Sequence, residues 1–78
     1  MKLYSLYDRI AEEFSPPWVA QTDGVAIRQT IKIMQETPHA DDYILYNLGT
    51  WSASTGMVDP LEKPKSVPFN ASANIEAS

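Results

Sequence analysis

Apolar and aromatic residues dominate the stretch from Lys2 to Tyr7, Lys-Leu-Tyr-Ser-Leu-Tyr, and Asp8 closes it. This predicts a strand over 2–7, with Tyr4 and Leu6 on one face and Leu3 and Tyr7 on the other. A strand apolar on both faces is central, or its second face is covered by a partner. The next stretch, Ile10 to Phe14, fits one helical turn or a wide loop. Ser15-Pro16-Pro17 stops any helix, because two prolines remove two donors and fix φ. Trp18 to Gln21 then reads as a short strand, and its place directly after prolines puts it on a sheet edge.

Thr22-Asp23 is a helix start. Either side chain can cap, and Asp23 suits the positive end of the helix dipole. The helix is expected from Gly24 or Val25 to Glu36, where Pro38 ends it. At about 100° per residue, Ala26, Ile27, Thr30, Ile31, Ile33 and Met34 share an arc of roughly 160°. Arg28, Gln29, Lys32, Gln35 and Glu36 fill the opposite arc.

A polar linker, His39 to Asp42, leads to the best strand pattern in the chain, Tyr43 to Trp51. Its faces are Ile44, Tyr46 and Leu48 against Tyr43, Leu45 and Asn47, and Gly49 marks a bulge. Ser52 to Gly56 is a hairpin loop with glycine where positive φ is needed. Met57 to Asp59 is a short return strand, stopped by Pro60. The order ββαββ predicts an α+β fold, a mostly antiparallel sheet with one amphipathic helix on one face. Residues 1–59 form the domain. Residues 60–78, with prolines at 60, 64 and 68 and an Asn/Ala/Ser-rich end, read as an extended tail, disordered at its end or ordered by a partner.

Composition narrows the chemistry. The chain has 78 residues, 44% of them hydrophobic and 21% charged, which fits one small globular domain. A chain of this size buries only about 60% of its unfolded surface, so oligomerisation is a natural supplement. The absence of cysteine excludes disulfides, thiolate metal sites and cysteine nucleophiles. No apolar run approaches the roughly 20 residues that span a bilayer, and the N-terminal stretch has no apolar core of a signal peptide, so no membrane role is expected. His39, alone of its kind, reads as a solvated loop residue. The doublets Glu12-Glu13 and Asp41-Asp42 are neighbours that do not face each other, so neither is an acid–base dyad. Asp8, Asp41 and Asp42 have no EF-hand spacing, and no phosphate loop, dinucleotide fingerprint or nucleophile elbow is present. The sequon Asn70-Ala71-Ser72 is read as a chance match. No enzyme, metal or cofactor is expected.

The stretch Met-Lys-Leu-Tyr-Ser-Leu-Tyr-Asp-Arg-Ile-Ala-Glu-Glu-Phe-Ser-Pro-Pro-Trp-Val-Ala at 1–20 resembles the small nonstructural protein of gokushoviruses, single-stranded DNA phages of the Microviridae. Asp23-x-x-Ala26-x-Arg28 and Asp-Asp-Tyr-Ile-Leu-Tyr-Asn-Leu-Gly at 41–49 carry the resemblance on, to about residue 60. It implies expression in the host bacterial cytoplasm, absence from the mature virion, and a DNA-binding role in genome replication or packaging. Aromatics on strands near basic residues are how many proteins stack single-stranded bases. On this reading the chain binds single-stranded DNA, as a homodimer, through Lys2, Arg9, Trp18, Arg28, Lys32, Tyr46 and Trp51. The formal net charge of −4 requires the basic residues to be segregated, on the polar side of the helix and the ends of the first strand. The alternative is a protein–protein interaction module that oligomerises or meets a viral or host protein and touches no nucleic acid.

Overall fold

The computed structural model describes residues 1–69. Its elements are β1 (Lys2–Asp8), β2 (Glu13–Phe14), β3 (Trp18–Ala20), α1 (Asp23–Met34), a 3-10 turn at Ala40–Asp42, β4 (Tyr43–Trp51) and β5 (Val58–Ser66). The strands form one antiparallel sheet in the order β2-β1-β4-β5, and β3 pairs with β1 on the same edge as β2. The expected α+β class and the edge position of the strand after the prolines both hold.

The segment from Arg9 to Glu12 is a tight turn. Asp8 organises it: its Oδ1 accepts from the amides of Ile10 (2.9 Å) and Ala11 (3.1 Å), and its carbonyl accepts from Glu12. Glu12 takes a left-handed conformation with φ 59° and turns the chain back into β2. Sequence reading missed this strand because two residues carry no periodicity. Beyond it, Pro16 and Pro17 cannot donate to the β1 edge, and Ser15 holds the chain there. Its amide donates to the Leu6 carbonyl, its Oγ accepts from the Leu6 amide, and its carbonyl accepts from the Ser5 hydroxyl. Ser5 is fully buried as a result.

Thr22 caps α1 by accepting the Val25 amide on its hydroxyl. The helix buries Ala26, Thr30, Ile31 and Met34. It starts slightly earlier than expected and ends at Met34, two residues short of Glu36. Ile33 is a correction to the expected stripe: it is 47% exposed. The buried arc is centred between Thr30 and Ile31, which leaves Ile33 at its margin.

The bulge at Gly49 is present. Leu3 pairs with Gly49 and Tyr4 with Asn47, so Leu48 is the extra residue. On the other edge Asn47 pairs with Lys65 and Gly49 with Pro60, so Leu61 to Pro64 loop past Leu48. The return strand therefore does not stop at Pro60 but runs on to Ser66. On an edge strand a proline removes no ladder bond if its missing amide faces solvent. Val67 then donates its amide to the Leu45 carbonyl and enters the core. The core comprises Tyr4, Leu6, Ala20, Ala26, Met34, Leu45 and Val67, all between the sheet and α1. The sequon and the expected disordered end, residues 70–78, lie outside the described residues.

Two substitutions test this packing. A Cβ on Gly49 would lie 2.4 Å from the Asp59 carbonyl oxygen and 2.7 Å from Pro60 Cα, at φ +151°. Gly49→Ala is expected to cost about 2–4 kcal/mol in denaturant unfolding, by strain and by forcing β5 off β4. The Thr30 hydroxyl is fully buried with no hydrogen-bond partner among the described residues. Thr30→Val removes that desolvated group at nearly constant shape and is expected to stabilise by about 1 kcal/mol, a rise of roughly 4–8 °C in melting temperature.

Candidate functional site

Strand register sorts the side chains onto two faces. Tyr4, Leu6, Trp18, Ala20, Leu45, Asn47 and Lys65 stand on the face that α1 covers. Leu3, Ser5, Tyr7, Phe14, Val19, Ile44, Tyr46, Trp51 and Val58 stand on the other. No helix among the described residues covers this second face. Every acidic residue at a paired strand position, Asp8, Glu13 and Asp59, belongs to the helix-covered side. The open face is thus apolar, aromatic and free of carboxylates at its paired positions.

Three aromatics cluster on it. Tyr7 and Phe14 are cross-strand partners with ring centroids 4.9 Å apart. Tyr46 meets both edge-on, at 6.3 Å from Tyr7 and 5.5 Å from Phe14. Phe14 is 45% exposed despite these contacts. Lys63 and Pro64, from the looped segment of β5, complete an open cleft with the three rings. Farther along the same face Leu3, Pro17, Val19 and Trp51 line a second shallow depression, and Trp18 reaches its rim from the edge strand.

The residues expected from sequence to form the site do not come together. Tyr46 and Trp51 lie on the open face. Trp18 stands on the other, its indole N–H donating to Gln29 Oε1 at 2.9 Å and its ring 6.3 Å from that of Tyr4. Arg28 and Lys32 are exposed on α1, across the sheet from Tyr46. Lys2 and Arg9 sit at opposite ends of β1, about 23 Å apart along the strand. The expected basic face is therefore divided. Sequence reasoning left Tyr7, Phe14 and Lys63 out of the site. The alternation Leu3-Ser5-Tyr7 signalled the first; Phe14 sits in an unsuspected strand, and Lys63 in a segment read as tail. Among the described residues no group of three or more acidic or histidine side chains is placed to hold a metal.

Lys2 is engaged on the helix side. Its Nζ lies 3.6 Å from Asp23 Oδ1, and the same oxygen accepts the hydroxyl of fully buried Tyr4. Burial, then the bond to Asp23, pushes the Tyr4 phenol well above its ordinary range. The bond from Tyr4, helped by Lys2, holds the Asp23 carboxyl below the usual carboxylate value against the opposing effect of desolvation.

The family described as Phage ORF5 protein matches residues 1–74. No curated protein and no solved structure matches the chain.

The Tyr4–Asp23 pair gives stability two pH limits. A lowered carboxyl contributes stability that is present above its unfolded value, near pH 4, and lost as pH falls through the folded one. A raised phenol contributes stability that is full below its unfolded value, near pH 10, and falls as pH rises beyond it. The acid effect is the smaller, because the Asp23 side chain is 49% exposed. Melting temperature followed from pH 2 to 11 should fall at both ends. In Tyr4→Phe the alkaline fall should flatten and the acid fall should shrink.

Proposed function

The chain belongs to the Phage ORF5 protein family, and from that premise we propose that it is a non-enzymatic phage protein that binds single-stranded DNA on the open sheet face, in the cytoplasm of the host, during genome replication or packaging. The observation that carries this reading is the aromatic trio Tyr7, Phe14 and Tyr46 beside Lys63, on a face without paired carboxylates. Exposed rings on a sheet give unstacked bases a surface, and stacking tolerates any base because every base has a π-face. A duplex hides those faces, so the preference is for single strands. The formal net charge of −4 opposes approach to a polyanion, and the sorting of strand carboxylates to the other face lessens that opposition locally.

This placement changes the expected energetics. Lys63 is the cation at the cleft, while Arg28 and Lys32 lie across the sheet. Binding then draws mainly on stacking, and few counterions are released.

A second reading has its own support. Phe14 (45% exposed), Val58 (51%) and Leu61 (40%) leave large apolar surface open, as an interface between two copies or with a viral or host protein would. In that case the face is occupied by protein, and sedimentation at micromolar concentration reports a dimer that Phe14→Lys breaks.

Titration of a labelled thirty-nucleotide strand at low salt decides between them. Binding is expected, with log K falling against log salt at a slope near −0.7 for the one phosphate contact that Lys63 supplies. Tyr46→Ala and Phe14→Ala should each lose about 1–3 kcal/mol of binding with the fold retained by circular dichroism. Arg28→Ala and Lys32→Ala should leave affinity and slope unchanged. Absence of binding by the folded wild type would end the DNA reading and leave the interaction module.

A further inference from the structure

Resting on the reading of the open face as a single-strand surface, we infer that this face holds two stacking stations, the Tyr7–Phe14–Tyr46 trio and Trp51, and takes about four nucleotides along β1. The two tryptophans of the chain are not equivalent. Trp18 is fixed on the helix side by its bond to Gln29 and its contact with Tyr4. Trp51 stands on the face opposite to α1, in the second depression beside Leu3, Pro17 and Val19, where Trp18 contributes only to the rim. Its backbone is clamped: its amide donates to the Met1 carbonyl at 2.8 Å, and its carbonyl accepts from the Met1 amino group at 3.0 Å. A backbone held in this way fixes where the Trp51 side chain leaves the sheet, which limits the backbone entropy lost on binding.

The spacing follows from the strand. By register Trp51 stands opposite Met1 and Tyr46, the nearest member of the trio, opposite Ser5, four residues along the same chain and both on the open face. Four residues of extended chain span about 13 Å. Stacked nucleotides rise about 3.4 Å along one strand, so the stations lie about four nucleotides apart if the bases stay stacked and fewer if the strand is stretched. That is at the lower end of the roughly 4–16 nucleotides that one single-strand-binding OB-fold barrel occupies. Leu3 lies between the stations, and the hydroxyl of fully buried Ser5 is already taken, donating to the Ser15 carbonyl. Lys63 serves the trio end and none of the residues lining the Trp51 depression is cationic. The Trp51 station therefore adds affinity without adding to the salt dependence.

The test uses the intact chain and thymidine oligonucleotides of two to twelve residues. For the wild type, affinity should climb with length to about four nucleotides and rise only slowly beyond. Trp51→Ala should lower affinity for the longer strands at least fivefold, leave the salt slope unchanged, and bring the plateau to about two nucleotides. In Trp18→Phe, where Trp51 is the sole indole, the fluorescence should quench on binding. If a thirty-nucleotide strand binds but the length dependence levels off at two nucleotides in the wild type, or if Trp51→Ala binds as the wild type does, the two-station inference is wrong while the open-face reading stands. If no strand of any length binds, both are overturned. The wild-type length series needs no variant, so a folding defect in Trp18→Phe cannot obscure the result.

Discussion

A single helix of twelve residues, about 18 Å long, closes the core of a five-stranded sheet. One helix can cover one face, and this constraint shapes the rest of the molecule. On the covered side Tyr4, Leu45 and Ala26 have lost all or nearly all contact with solvent. On the other side no comparable layer exists among the described residues, and the sheet shields its backbone with its own large side chains. Tyr46 does this by packing edge-on against Tyr7 and Phe14, whose rings are tilted against each other. The cluster that stabilises the open face is also what makes it available for recognition.

β1 bears the organising load. It pairs with β4 on one edge and with β2 and β3 in succession on the other. Its even-numbered residues face the helix and its odd-numbered residues the open side. The interruption between β2 and β3 is bridged by Ser15, whose amide, hydroxyl and carbonyl occupy the edge where Pro16 and Pro17 have no amide to offer. Tyr4 ties the strand to the first turn of α1 through Asp23, and Lys2 adds its charge to the same carboxylate. A cation expected to meet phosphate is thereby committed to the helix end.

The charge balance, which weighs against nucleic-acid binding when summed over the chain, carries less weight once its distribution is known. A net −4 is compatible with an open face bare of carboxylates at its paired positions, since Asp8, Glu13 and Asp59 all stand on the helix side. Such a surface has little long-range pull on a polyanion. Contact would be governed by stacking at short range, where the aromatic rings act.

Periodicity alone determined the helix and the inward turn of Ala26, Thr30, Ile31 and Met34, because more than three turns of one pattern leave a readable stripe; the choice of Thr22 over Asp23 as cap and the exposure of Ile33 came from the structure. It also determined β1, β4, the glycine bulge and the α+β class, since each rests on local alternation or on one residue's conformational freedom. Tertiary structure decided the remainder. β2 has two residues and exists only because Asp8 closes its turn and β1 offers a partner. β5 continues through Pro60 and Pro64 because it lies on an edge, and edge position is a property of the assembled sheet. Aromatics were visible in the sequence, but not which of them share a face. The bulge at Leu48 fixes the register that sets Trp51 on the open side, and the pairing of Trp18 with Tyr4 sends it to the helix. Sequence spacing fixes a side chain's face within its own strand; which face of the sheet that becomes depends on pairings between residues far apart in the chain.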